Sequence, residues 1–229
     1  MGLSPGPLFQ ARGTLCRLPR HWQLPELAGG HLLDQYIPRY EYGETNNQVE
    51  LKWQDPTPRA VGTLVHRYLQ QMGNTGINHW SVDSIRNLER SIAAGLKALG
   101  VPLSQLSAAV DKVSLALQMV LQDSKAEHFL SHKHPFHACE YPITFASSVG
   151  PKNLQIDRVF TTQQGTTWLV DYKTSEPEAG QSLQDFLDQE LEQYQAQLSL
   201  YQRALQSAGF GKVKKALYFP MITHWQELG

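Results

Sequence analysis

The chain has few cysteines, no excess of either charge and no long apolar run. Among its 229 residues only Cys16 and Cys139 are cysteines, and the absence of any C-x-x-C pair excludes a zinc ribbon, an iron–sulfur cluster and a disulfide framework. This usage favours a reducing, cytoplasmic compartment. The 20 basic residues balance 21 acidic ones, so a broad basic coat is excluded, whereas a local basic groove is not. No run approaches the roughly 20 apolar residues of a membrane span, so we expect no membrane partner.

Nucleotide-binding signatures are also missing. The chain has neither the GxxxxGK[ST] phosphate loop nor the GxGxxG fingerprint, so we expect no nucleotide cofactor. Residues 1–58 are rich in Pro, Gly and isolated aromatics without clear periodicity, and we interpret them as an irregular linker or wrapping segment. The remaining residues, 59–229, carry regular patterns and are predicted to form one domain.

The patterned residues divide into a helical part, 59–130, and a sheet-containing core, 136–222. Apolar residues at helical spacing predict helices over 60–72, 81–99, 104–121 and a short one reaching residue 130. Alternating and apolar runs predict strands and one long helix over 136–146, 154–160, 167–173, 183–208 (the helix) and 213–220. This order predicts a mixed α/β (α+β) fold, in which helices flank a small mixed sheet behind an N-terminal helical region.

Two of the predicted strands form a hairpin that brings two acids together. The segment Gln163-Gln164-Gly165 is typical of a three-residue loop with Gly in the left-handed position. Counting outward from this loop sets Asp157 opposite Asp171, with Cβ atoms ~5 Å apart. Opposed like charges are unfavourable unless one is protonated or a cation lies between them.

Spacing alone leaves two interpretations of these acids open. In the first interpretation, the carboxylate oxygens and the neighbouring Lys173 form a site for Mg²⁺ or Mn²⁺. Alternatively, Asp157, Asp171 and Lys173 form a charged cluster at a solvated strand end. A slip of one residue in the register would also carry Asp157 to the other face of the sheet.

Five segments within about 58–222 follow one another in an informative order: GTLVHRYL (62–69), CEYPITF (139–145), LQIDRVF with WLVDYKT (154–174), QYQAQLSLYQRAL (193–205) and VKKALYFP (213–220). Together they resemble the PD-(D/E)XK nucleases, and most closely the RecB-type nuclease domain at the C-terminus of UvrD/RecB-like helicase–nucleases. The resemblance implies a restriction-endonuclease-like core and a metal-dependent deoxyribonuclease. It further implies an exonuclease acting on single-stranded DNA ends.

The resemblance also implies roles for residues at the matching positions. A Mg²⁺ or Mn²⁺ ion would be held by His66, Asp157, Asp171 and the backbone carbonyl of Tyr172. The catalytic residues would be Asp157, Asp171, Lys173 and Glu140, with the glutamate outside the first ion's ligand set or at a second ion. Contacts to the DNA backbone are expected from Tyr194, Gln197 and Tyr201.

One position departs from the family pattern. Leu154 stands where the family usually has Gly, three residues before the first Asp. A catalytically inactive module that binds DNA or a helicase, and a standalone endonuclease of the same fold, therefore remain alternatives. The closest resemblance implies a helicase domain as partner, in the same chain or in a companion chain.

Overall fold

A computed structural model describes residues 55–147 and 150–229, without the side chains of residues 146 and 147. The predicted linker, 1–58, falls almost entirely outside the described residues. The helical part contains five α-helices and a 3₁₀ turn: α1 (Thr57–Thr75), the turn Ile77–His79, α2 (Val82–Asn87), α3 (Glu89–Ala98), α4 (Leu103–Gln122) and α5 (Ser124–Phe129). None of the helices in the described part of the chain is both long and apolar enough to cross a bilayer.

The helix predicted over 81–99 is two helices in the structure. Ser81 caps the first, because its hydroxyl accepts the N–H of Ser84 while the Ser84 side chain accepts the N–H of Ser81. At Leu88 the backbone N–H donates to the carbonyl of Ile85, three residues back, at 2.9 Å. This tighter turn separates α2 from α3, so the periodicity identified the helical segment but not its interruption.

The sheet-containing core has the mixed topology that the sequence predicted. It consists of β1 (Phe136–Ser147), β2 (Gly150–Thr161), β3 (Thr167–Tyr172), α6 (Leu183–Ser207), β4 (Val213–Phe219) and β5 (His224–Leu228). The strand order is β1-β2-β3-β4-β5, with only the β3–β4 pair parallel. No strand was predicted after 213–220, and β5, which lies beyond the predicted core 136–222, pairs antiparallel with β4.

The β2–β3 hairpin has the predicted loop and register. Gly165 has φ 78°, in the left-handed region, and Thr162 N–H donates to the carbonyl of Thr166 at 2.9 Å. Outward from the loop, Phe160 pairs with Trp168 and Arg158 pairs with Val170. The loop and the register agree with the alignment that the turn residues predicted for the two acid-bearing strands.

Both faces of the sheet are covered by helices. One apolar cluster joins α1 and α4 to Phe160, Val170 and Tyr172 on one face of the sheet. A second cluster packs α6 against Val159 and Leu169 on the other face. This layering confirms a mixed α/β fold of the restriction-endonuclease-like kind.

Candidate metal centre

Three carboxylates lie in one row across three neighbouring strands. In the β1–β2 ladder, Glu140 and Asp157 occupy the position between the paired residues Cys139↔Arg158 and Tyr141↔Ile156. On the other side, Asp157 and Asp171 are the next residues beyond the last β2–β3 pair. The Asp157 Oδ2 atom accepts the backbone N–H of Tyr172 at 2.7 Å, which binds the row to β3.

A histidine from α1 completes this cluster. The Nδ1 atom of His66 lies 3.6 Å from Asp157 Oδ2, and its ring meets the Tyr172 ring edge-on at 5.6 Å between centroids. One ligand atom each from His66, Glu140 and Asp157 lies within 4.8 Å of the others, as a metal site requires. The structure thus brings together residues that are far apart in sequence.

Burial perturbs the pKa values of this cluster. Burial first, and the neighbouring Asp171 second, raise the pKa of Asp157 to about 8. Burial also raises the pKa of Glu140 and lowers the pKa of His66. A divalent cation would favour the anionic acids and the neutral imidazole, so the set of hard oxygen atoms with one imidazole nitrogen fits such an ion.

Glu140 adopts a backbone conformation that non-glycine residues rarely occupy. Its φ is 49°, in the left-handed region, although it lies within a β-strand. Its Oε2 atom accepts the side-chain N–H of Gln155 at 2.7 Å. Ile156 and Val159 both pack in the α6-side cluster, although residues three positions apart in a regular strand point to opposite faces of the sheet. The alternation of side chains between the two faces is therefore interrupted in this part of β2. Such local strain is typical of functional sites.

Lys173 lies between an acid and an aromatic ring. Its Nζ atom is 2.7 Å from Asp171 Oδ2 and 3.5 Å from the centroid of the Tyr194 ring, which α6 supplies. Asp171 Oδ2 is buried, and this ion pair with the ammonium is its close contact with a charged group. The lysine side chain is only 17% exposed, and the ring and the acid hold its ammonium in place.

The other predicted α6 residues contact each other beside the acids. The Gln197 side-chain N–H donates to the hydroxyl oxygen of Tyr201 at 2.7 Å. Burial raises the pKa of Tyr201, and the charges of Asp171 and Asp157 add to that rise. Tyr194 contacts Lys173, and Tyr201 packs in the cluster between α6 and the sheet, so both tyrosines lie on the side of α6 that faces the sheet.

Sequence reasoning missed a buried arginine directly after Asp157. Arg158 is fully buried and has no carboxylate partner within the described residues. Its guanidinium donates to the carbonyl oxygens of Phe129 (2.9 Å), Ser131 (2.8 Å) and Gly73 (3.3 Å). It thereby joins the last turn of α1 to the acid-bearing strand. The signal in the sequence that could have identified this residue was an arginine between the apolar positions of a predicted core strand.

The position that departs from the family pattern lies, half-buried, at the margin of the apolar core. Leu154 pairs with Ile143 across β1 and β2, and both side chains pack against the α6-side cluster. Leu154 thus has a packing role in this chain. No interaction joins it to the carboxylate row in the described residues.

Comparison with protein families gives one match that spans most of the chain. The family model described as the PD-(D/E)XK nuclease superfamily matches residues 36–226. Comparison with curated proteins finds no match. Members of the matched superfamily are generally metal-dependent nucleases, in agreement with the His, Glu and Asp cluster above. On the evidence of its fold and of this match, the chain belongs to the PD-(D/E)XK nuclease superfamily.

Proposed function

We propose that the domain, 59–229, is a deoxyribonuclease that hydrolyses phosphodiester bonds with Mg²⁺ or Mn²⁺ as its ion. The observation that carries the proposal is the row of three carboxylates, with His66 beside its middle member, Asp157, and Lys173 beside Asp171. Oxygen-rich ligand sets suit these two ions better than softer metals. The most specific form of the proposal is an exonuclease acting on single-stranded DNA ends.

The residues that would hold the ion are His66, Asp157, Asp171 and the carbonyl of Tyr172. The geometry supports His66, Asp157 and Tyr172, since His66 approaches Asp157 and the backbone of Tyr172 contacts both side chains, whereas Asp171 is carried over from the resemblance. A bound ion supplies Lewis-acid polarisation of the phosphoryl oxygen and lowers the pKa of the attacking water. Glu140 stands at the far end of the row, where it would support a ligand or a second ion.

Lys173 would stabilise the negative charge that develops on the phosphoryl oxygens. Its ammonium is already oriented by Asp171 and Tyr194, so little reorganisation is needed during the reaction. On α6, Tyr194, Gln197 and Tyr201 would contact DNA phosphates beside the ion. Phosphate contacts position the strand but do not read its sequence, so we expect little sequence preference.

The wider context follows from the RecB-type resemblance alone. We propose a helicase domain, in the same or a companion chain, that delivers single-stranded DNA to this site. In that arrangement 1–58 is the connecting segment, and the protein works in the cytoplasm. A standalone endonuclease of the same fold and an inactive binding module are the competing assignments.

A nuclease assay on single-stranded DNA tests the proposed function. The purified chain, incubated with Mn²⁺ or Mg²⁺ and an oligonucleotide labelled at either end in turn, is expected to release short products, and EDTA is expected to stop the reaction. A covalently closed single-stranded circle serves as the matched substrate without ends. Cleavage of the circle would identify an endonuclease, and DNA binding without any cleavage would identify an inactive module.

The aromatic contact to Lys173 yields a second expected result. Replacing Tyr194 with Leu removes the ring under the ammonium, whereas Phe keeps it. A cation–π contact of this kind contributes about 0.5–2 kcal/mol, so Tyr194→Leu should lower the cleavage rate about 2- to 30-fold while Tyr194→Phe stays near wild type. The measurement is the single-turnover rate at saturating protein. Equal losses in both variants would show that the hydroxyl, and not the ring, matters.

A further inference from the structure

We propose that one face of α1 binds the phosphates of the DNA strand that flank the reacting one, through Arg59 and Arg67. This inference rests on the proposed nuclease function and extends its site beyond the carboxylate row. Nothing in the sequence motifs assigned a role to either arginine.

The two arginines line a cleft that opens directly onto the metal centre. An open cleft of about 490 Å³ is lined by Arg59, Thr63, His66, Arg67, Gln70 and Glu140, among others. Two of these residues, His66 and Glu140, belong to the His, Glu and Asp cluster. A strand whose reacting phosphate lay at the cluster would therefore continue along this wall of α1.

Helix geometry places the polar residues of this wall on one face. At about 100° per residue, Arg59, Thr63 and Arg67 fall within roughly 80° of one another. The two arginines are eight positions apart, which corresponds to about 12 Å along the helix axis. With one phosphate per 3.4 Å of duplex rise in each strand, or a wider spacing in an extended strand, two to four nucleotides would separate the contacted phosphates.

Both arginines are exposed and lack an acidic partner among the described residues. Three other surface cations in the described ranges have an acidic partner, namely Arg86 with Asp83, Lys112 with Glu176 and Lys214 with Glu227, so what sets Arg59 and Arg67 apart is their place in this cleft. The hydroxyl of Thr63 donates to the carbonyl of Arg59, so the guanidinium groups are the main donors of the wall. A guanidinium binds phosphate through two parallel N–H groups, which makes a phosphodiester strand the matching occupant.

The salt dependence of DNA binding tests the proposal. The variants Arg59→Ala and Arg67→Ala are made in an Asp171→Asn chain, which we expect to bind DNA in Mg²⁺ without cutting it. Binding of a single-stranded oligonucleotide is followed by fluorescence anisotropy from 50 to 300 mM salt. Each arginine variant is expected to weaken binding about 3- to 10-fold and to reduce the slope of log K against log salt by about 0.7. Arg86→Ala, an arginine away from this cleft, is the matched control.

A set of oligonucleotides that each carry one neutral methylphosphonate locates the contacts. The Asp171→Asn chain should lose affinity when the neutral group stands at either of two positions, two to four nucleotides apart. Each arginine variant should become insensitive at one of these positions and keep its sensitivity at the other. Circular dichroism and the melting temperature show whether each variant is folded.

The outcomes separate this inference from the function on which it rests. If the wild-type chain neither cleaves nor binds DNA, the proposed function fails. If the Asp171→Asn chain binds DNA and both arginine variants match Arg86→Ala in affinity and salt slope, only the assignment of the α1 face is overturned. The assignment of the α1 face is also overturned if both arginine variants keep the methylphosphonate sensitivity of the Asp171→Asn chain at both positions.

Discussion

Replacing Asp171 with Asn or Lys173 with Met is expected to eliminate metal-dependent DNA cleavage while leaving the domain folded. Asp171 belongs to the carboxylate row, and its Oδ2 atom is 2.7 Å from the Lys173 ammonium. Loss of one oriented donor of this kind lowers a rate by about 10²–10³-fold, and loss of an ion ligand is expected to cost at least as much. The measurement is the initial rate of release of labelled nucleotides in Mn²⁺.

The chain contains a closely matched control for the lysine. Lys214 also combines an acid with an aromatic ring, since its Nζ atom lies 3.5 Å from Glu227 and 4.7 Å from the Trp168 centroid. Lys214→Met should therefore cleave at the wild-type rate, and Asp188→Asn on the exposed side of α6 should do the same. Robust cleavage by either Asp171→Asn or Lys173→Met would exclude the assigned site.

Replacing Asp157 with Asn should stabilise the metal-free domain at high pH and weaken its binding of the ion. Because burial and Asp171 raise the pKa of Asp157 to about 8 in the folded domain, and an unfolded aspartate titrates near pH ~3.9, the folded state binds more protons between these values. The free energy of unfolding of the metal-free domain therefore falls as the pH rises through this window. An amide has no such titration, and its oxygen can still accept the Tyr172 N–H.

Thermal unfolding in EDTA at several pH values measures this effect. At pH 8.5 the Asp157→Asn domain should melt about 5–10 °C above wild type, a gain on the order of a few kcal/mol for a chain of this size. The difference should shrink toward pH 5, where the wild-type carboxyl is protonated in the folded state. Added Mn²⁺ should raise the melting temperature of the wild type much more than that of the variant. If the variant is less stable than wild type at pH 8.5, the raised pKa assigned to Asp157 is contradicted.

The stability and the activity of the Asp157→Asn domain, measured together, distinguish a metal centre from a surface cluster. A charged group at a solvated strand end would tolerate Asp157→Asn with little change in stability, because water screens its neighbours. At a buried centre, in contrast, removal of the charge stabilises the fold and costs activity. Functional sites commonly show this opposition between stability and activity.

Much of the fold could be predicted because its signals are local. The alternation of apolar residues and the Gly at position 165 set β2 and β3 in the observed register, which includes the pair Arg158↔Val170. The helical periodicity identified α1, α4 and α6 to within a few residues. The helical periodicity did not reveal the tighter turn at Leu88 that interrupts the helix. The strand pattern did not reveal β5, a five-residue strand without a strong apolar pattern.

By itself, the sequence determined the hairpin that sets Asp157 beside Asp171 and the helices that flank it, because turn chemistry and side-chain periodicity act over a few residues. Only the tertiary structure decided what surrounds those acids. The approach of His66, the left-handed backbone of Glu140 and the position of Lys173 over Tyr194 depend on how α1 and α6 pack against opposite faces of the sheet. The cleft that Arg59 and Arg67 line has the same origin. Such contacts join distant segments, and they form only when the whole apolar core closes.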